Sequence, residues 1–156
     1  MNVEMQAIGF VVGGREEVRD DFWGGHQTWI ELTESFGAEA LQGLAEFSHV
    51  EVLFLFHLVA ESKIVTGARH PRNNEAWPAV GIFAQRGKNR PNRIGTTICR
   101  VLAVEGTRIL VAELDAVART PILDIKPVMS AFLPREPVQQ PGWANEIMGD
   151  YWATES

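Results

Sequence analysis

Cysteine is almost missing from this chain: Cys99 stands alone. A single thiol excludes an internal disulfide and a cysteine-rich zinc site, and it fits a reducing cytoplasm. Long apolar runs are missing too. The longest, from Val50 to Ala60, is interrupted by Glu51 and His57 and falls short of the roughly 18 residues of a membrane span. The stretch from Met1 to Gly14 has no basic start followed by an apolar core, so no secretory signal is expected. There is no phosphate-binding P-loop, no glycine-rich dinucleotide turn and no paired-histidine zinc motif. His26, His49, His57 and His70 are scattered without metal-ligand spacing, so no metal is expected.

What is present is an ordinary globular composition. The chain has 156 residues, 46% of them hydrophobic and 22% charged, which suits a single domain with a real core. The net charge of −6 is unevenly placed. Between Lys63 and Arg100 there are eight lysines and arginines and one acid, Glu75; the other 118 residues hold six bases and 19 acids. An acidic body with one basic face suits a protein that grips a polyanion locally. The same distribution serves a basic loop that meets an acidic neighbouring subunit.

Short β-branched runs punctuated by turn residues dominate the pattern. Gln6–Val12, Thr28–Leu32, Val80–Ala84, Gly95–Val104, Arg108–Leu114 and Ile122–Ile125 read as strands. Glu51–Val59 is too apolar to alternate and reads as a strand buried on both faces. Glu105-Gly106 signals a hairpin. Ala38–Phe47 has helical spacing of Ala38, Leu41, Leu44 and Ala45, with Ser35 as a cap, although Gly37 and Gly43 oppose it. Val65–Pro78 reads as a loop. The expected fold is a mainly β single domain, a barrel with a few helices as decoration. It comprises residues 1–134, and a tail, 135–156, lies extended over the body.

Single residues give weak chemical signals. Asp115 and Asp124 sit at strand ends, where a carboxylate binds a ribose or an amine, or caps a turn. Lys126 reads as a surface residue. His49 reads as a cap of carbonyls, and His57, inside an apolar strand, as a hydrogen-bonded core histidine.

The most informative stretch is VGIFAQRGKNRPNRIG, residues 80–95, where Arg86, Lys88, Arg90 and Arg93 crowd a loop without an acid. Together with GLAEFSHVEVLFLFH before it and AELDAVARTPILDIKP after it, the chain resembles the TsaA/TrmO-like family from about Ala7 to Pro127. The resemblance implies a β-barrel methyltransferase outside the Rossmann-type class, working as a homodimer. It implies S-adenosyl-L-methionine as cofactor and the exocyclic amine of a modified adenosine in tRNA as acceptor. Carried onto this sequence, the cofactor residues would be His57, Leu58, Arg86, Thr96, Leu114, Asp115, Ala116 and Val117. Asp115 would take ribose hydroxyls or the ammonium group, Arg86 the carboxylate. Lys88, Arg90, Asn92 and Arg93, around the family's Arg-Pro-Asn core (Arg90-Pro91-Asn92), would face the substrate. Asp124 is the candidate for a general base.

The departures from the family are specific. Gly87-Lys88-Asn89 replaces Ser-Pro-Phe, Arg93 replaces a proline, and Ala118-Arg119-Thr120-Pro121 replaces Asp-Gly-Thr-Pro. Residues 20–25 (DDFWGG) stand where the family has Pro-Arg-Gln, and the proline- and tryptophan-containing tail replaces the C-terminal extension of some members. The reading is therefore a cytoplasmic methyltransferase-like protein with tRNA as its partner. The alternatives are a non-catalytic module that binds S-adenosylmethionine or RNA, and a methyltransferase acting on a small molecule or protein.

Overall fold

The fold is described from a computed structural model, over residues 1–155. Eight strands form: β1 Gly9–Val12, β2 Gln27–Leu32, β3 His49–Leu55, β4 Ala68–Arg69, β5 Val80–Gly81, β6 Ile94–Glu105, β7 Arg108–Ala112 and β8 Pro121–Pro127. Six of them close a barrel in the order β1-β2-β7-β6-β3-β8, while β4 and β5 pair separately. All barrel pairings are antiparallel. Closure leaves the barrel itself no free strand edge, which is what allows strands as short as β1 to be stable there.

The interior is apolar and tightly filled. Val11, Ile30, Val50, Val52, Phe54, Ile109, Val111 and Ile122 all point inward. β3 corrects the expectation of a strand buried on both faces. Its residues alternate, with Val50, Val52 and Phe54 buried and Glu51, Leu53 and Leu55 half-exposed. The strand ends at Leu55, so His57 lies in the following turn rather than in the core.

Three more expectations need correction. Ala38–Phe47 is not an α-helix. It forms two 3₁₀ turns, Ala38–Leu41 and Leu44–Glu46, separated where Gly43 takes a φ of 87°. That left-handed residue interrupts the helical ladder, and Ser35 caps nothing because the first turn starts after Gly37. Val80–Ala84 is strand only to Gly81, then a 3₁₀ turn that buries Ile82. The tail is not wholly extended: α1, Gly142–Ile147, interrupts it.

Because neighbours are antiparallel, all six strands have one end at the same mouth of the barrel. These ends are Val12, Gln27, Leu55, Ile94, Ala112 and Pro121. Three connections cross that mouth: 13–26, 56–93 and 113–120. Every non-glycine residue with positive φ among the described residues lies in them, namely Phe22, Arg72, Asn73, Arg93, Glu113 and Arg119. Strained backbone gathers where a fold carries function. Ile30 is fully buried at the barrel centre, so Ile30→Ala should destabilise the domain by about 2–5 kcal/mol in denaturant unfolding.

Candidate functional site at the barrel mouth

Asp115 stands at the centre of this mouth. The 113–120 connection crosses from the end of β7 to the start of β8 and carries the carboxylate inward. Its Oδ1 accepts a hydrogen bond from the Thr97 hydroxyl and its Oδ2 one from the Tyr151 hydroxyl. Among the described residues no lysine or arginine forms an ion pair with it. Leu114 and Ala116 on either side are buried and Val117 is half-buried. Burial, and then the Asp115 charge, push the Tyr151 phenol far above its ordinary value, so it stays a donor.

The 56–93 connection folds against the same end. The Phe56 N–H donates to the Arg93 carbonyl at 2.8 Å, and Arg93 Nη1 donates to the Val59 carbonyl at 2.8 Å. This fastens the turn carrying His57 and Leu58 to the basic loop. His57 is half-buried and Leu58 exposed. Desolvation lowers the His57 pKa, which favours a neutral ring. Arg86 is exposed and donates through Nη2 to the Thr96 carbonyl at 2.7 Å, so its remaining N–H groups face outward. Arg90 donates to the Gln85 carbonyl at 2.7 Å; Lys88 is half-buried and Asn92 exposed.

Two residues predicted from sequence lie elsewhere. Thr96 stands on the outer wall, where its hydroxyl donates to Glu51 at 3.1 Å. Its neighbour Thr97 is the one that points inward to Asp115. Asp124 also lies on the outer wall. An irregularity opposite Leu53 and Phe54 skips one residue of β8, so Ile122 and Ile125 face in and Asp124 faces out. Its carboxylate accepts from the Ile125 N–H at 2.9 Å and sits 3.2 Å from Lys126. It does not reach the mouth.

The basic face is also less bare than its sequence suggests. Arg72 makes a bidentate pair with Asp21 at 2.9 and 3.1 Å. Arg90 and Arg93 brace backbone carbonyls. Lys63, Arg86 and Arg100 remain exposed.

Residues 20–25 are held by a buried cation that sequence reasoning passed over. Arg15 is 9% exposed, its guanidinium 3.7 Å over the Trp23 ring. It donates to the carbonyls of Asp21 at 3.1 Å and Phe22 at 2.6 Å and meets His26 Nε2 at 3.1 Å. That last contact requires His26 to be neutral at Nε2, since a protonated ring has nothing to accept with. No motif flags Arg15, although an arginine just after a Gly-Gly turn is a hint in hindsight. Thr97 had a clearer signal, a hydroxyl on the inward face of β6. Among the described residues no group of three or more His, Cys, Asp or Glu could hold a metal ion.

Comparison with known proteins agrees with this architecture. The family model of the tRNA-methyltransferase O N-terminal domain matches residues 21–132. The chain belongs to that family. The chain is also similar to a crystal structure of TrmO from Pseudomonas aeruginosa. That structure superposes with a TM-score of 0.71 at 28% identity, covering 92% of this chain and 63% of the other. A tRNA (adenine(37)-N6)-methyltransferase of Homo sapiens is 37% identical over 102 residues, which is 65% of this chain and 23% of that protein. A protein of Methanocaldococcus jannaschii named "Probable S-adenosyl-L-methionine-binding protein" is 37% identical over 100 residues, 64% of this chain and 79% of that one. The chain thus spans under a quarter of the human relative and somewhat under two thirds of the solved TrmO.

Burial, and then the Arg15 charge, lower the His26 pKa from 6.5. Arg19 acts in the same direction and Glu155 against it. A depressed folded value gives stability that is present above pH 6.5 and lost as pH falls through the folded value. His26→Gln should therefore flatten the fall in Tm as pH drops below 6.5, measured by thermal unfolding against the parent.

Proposed function

We propose that this domain binds S-adenosylmethionine at the barrel mouth and transfers its methyl group to the exocyclic amine of an adenosine in tRNA. The observation that carries the reading is Asp115, a carboxylate held at the mouth by two neutral hydroxyls and, among the described residues, in no ion pair. A carboxylate has about four lone-pair positions, and two are used here. The others fit the ribose hydroxyls or ammonium group of the cofactor. Arg86, with outward N–H groups, fits the carboxylate. Leu114, Ala116 and Val117 supply an apolar wall for the adenine, and the turn of His57 and Leu58 closes the side. Thr96 contributes through its backbone, since its hydroxyl faces away. The names of the relatives support the same cofactor and the same class of acceptor.

When bound, the cofactor supplies an activated methyl on sulfonium sulfur. Transfer to the amine nitrogen would break the sulfur–methyl bond, leave a neutral thioether and release the nitrogen's proton to solvent water. The task of this chain is positioning, which is where such catalysis gains most. Asp124, paired with Lys126 on the outer wall, is not a suitable base. Lys88, Arg90, Asn92 and Arg93 border the acceptor side, with Arg90 and Arg93 shaping the loop and Lys88 offering charge to phosphate. The protein is read as a cytoplasmic homodimer, with residues 1–134 as the catalytic body. Phe83 and Phe132, 79% and 87% exposed, are the kind of apolar surface a second copy would cover.

Asp115→Ala should weaken S-adenosylmethionine binding by about 1–3 kcal/mol in calorimetry while the domain stays folded. Unchanged affinity per folded molecule would reduce Asp115 to a turn-forming residue. Lys88→Ala should lower affinity for total tRNA and reduce the log–log salt slope by about 1, with cofactor affinity unaltered. Labelled methyl transfer into total tRNA, set against small-molecule extracts, decides the acceptor class.

A further inference from the structure

Residues 20–25 and the tail lie against each other. The Phe22 N–H donates to the Asp150 carbonyl at 3.1 Å, the Trp23 N–H to Tyr151 at 2.8 Å, and the Gly24 N–H to Ala153 at 3.2 Å. Arg19 grips Glu155 through two contacts at 3.0 and 2.7 Å, and Trp77 Nε1 donates to Glu146 at 2.7 Å. The fit leaves no slack: a Cβ on Gly24 would collide with the Trp152 carbonyl oxygen. This strap sets the Tyr151 hydroxyl on Asp115 Oδ2, opposite the Thr97 hydroxyl on Oδ1.

We propose that Tyr151 is a positioning residue of the mouth. The strap of residues 20–25 and 150–153 delivers its hydroxyl to fix the Asp115 carboxylate in the orientation that receives a vicinal diol or an ammonium group. The inference rests on the reading of Asp115 as a cofactor residue. Its physical basis is the cost of order. A lone aspartate at a strand end samples several rotamers and must be frozen when ligand arrives. Two hydroxyl donors freeze it beforehand and leave free lone pairs on both oxygens. Neutral donors do this without cancelling the charge, which an arginine would do. The tail thereby becomes part of the site, which the barrel alone does not complete.

Two measurements on the full chain test this. In the first, Tyr151→Phe is compared with Trp77→Phe, which removes a tail anchor but keeps the phenol. Tyr151→Phe should raise the Kd for S-adenosylmethionine about 3- to 30-fold, and Trp77→Phe should lower Tm with Kd nearly unchanged. Equal Kd values for the parent and Tyr151→Phe would overturn the proposal. Tighter binding by Tyr151→Phe would overturn it too, because the strap would then be a plug. The second measurement needs no ligand. Tyr151 is the single tyrosine of the chain, so tyrosinate absorbance reports it alone. Asp115→Asn should bring its titration down toward the ordinary value of 10.0 from the higher pH of the parent. Identical midpoints would show that the contact is absent in solution. If the parent does not bind S-adenosylmethionine, the cofactor reading of Asp115 fails together with the ligand half of the proposal. The titration then decides the Tyr151–Asp115 contact separately.

Discussion

Closure of the barrel is the constraint on which everything else depends. β1 is only four residues long, yet it bonds β2 on one side and β8 on the other. That double pairing turns an open antiparallel sheet into a cylinder. Once closed, the sheet has no choice about where its connections go. Those after β1, β3 and β7 must share one mouth, and they are the ones that carry the chain's unusual chemistry. Four segments far apart in sequence meet there: residues 20–25, the turn at His57, the basic loop and the Asp115 crossing.

The mouth is then organised by polar contacts of modest individual strength. Arg72 ties residues 20–25 to the loop before β5, Arg93 ties the turn of His57 to the start of β6, and Arg15 holds the first connection from beneath. Arg15 and Arg93 are satisfied largely by carbonyls, and Arg72 by Asp21 with Asp20 beside it. Arginine suits this work because its planar fork can reach several carbonyls at once. Fewer cations are consequently free for an anionic partner than the eight in this stretch suggest. Apart from Arg72, paired with Asp21, the local excess of positive charge survives, since the carbonyl partners of Arg90 and Arg93 do not neutralise it.

Much of this was legible in the sequence, for physical reasons that differ by element. Six strands could be read because β-branched runs bounded by glycine and proline leave few other options. The apolar spacing of Ala38–Phe47 suggests a helix that does not form, because Gly43 in a left-handed conformation breaks the ladder. β3 was misread because its outer residues Leu53 and Leu55 are half-covered, so alternation is hidden in a uniformly apolar string. At the site, Asp115, Arg86 and His57 could be placed through the family resemblance alone; composition and spacing left each of them ambiguous. Asp124 misled because a skipped residue in β8 reverses the face of everything after it, and no local signal marks that shift. Thr97 and Arg15 leave only faint local signals and Tyr151 none, for a common reason. Their importance lies in contacts across 18, 11 and 36 residues of sequence, which only the folded barrel brings together.

The ligand is proposed to enter at the Asp115 mouth. The opposite mouth offers a competing apolar hollow of about 390 Å³ between Phe36, Leu41, Leu44 and Phe47. Titration of the labelled protein with S-adenosylmethionine, followed by amide and methyl chemical shifts, separates the two. The account predicts shifts concentrated at His57, Leu58, Arg86, residues 114–117 and Tyr151, with the hollow silent. Shifts centred on Leu41, Leu44 and Phe47, with residues 114–117 unmoved, would contradict it.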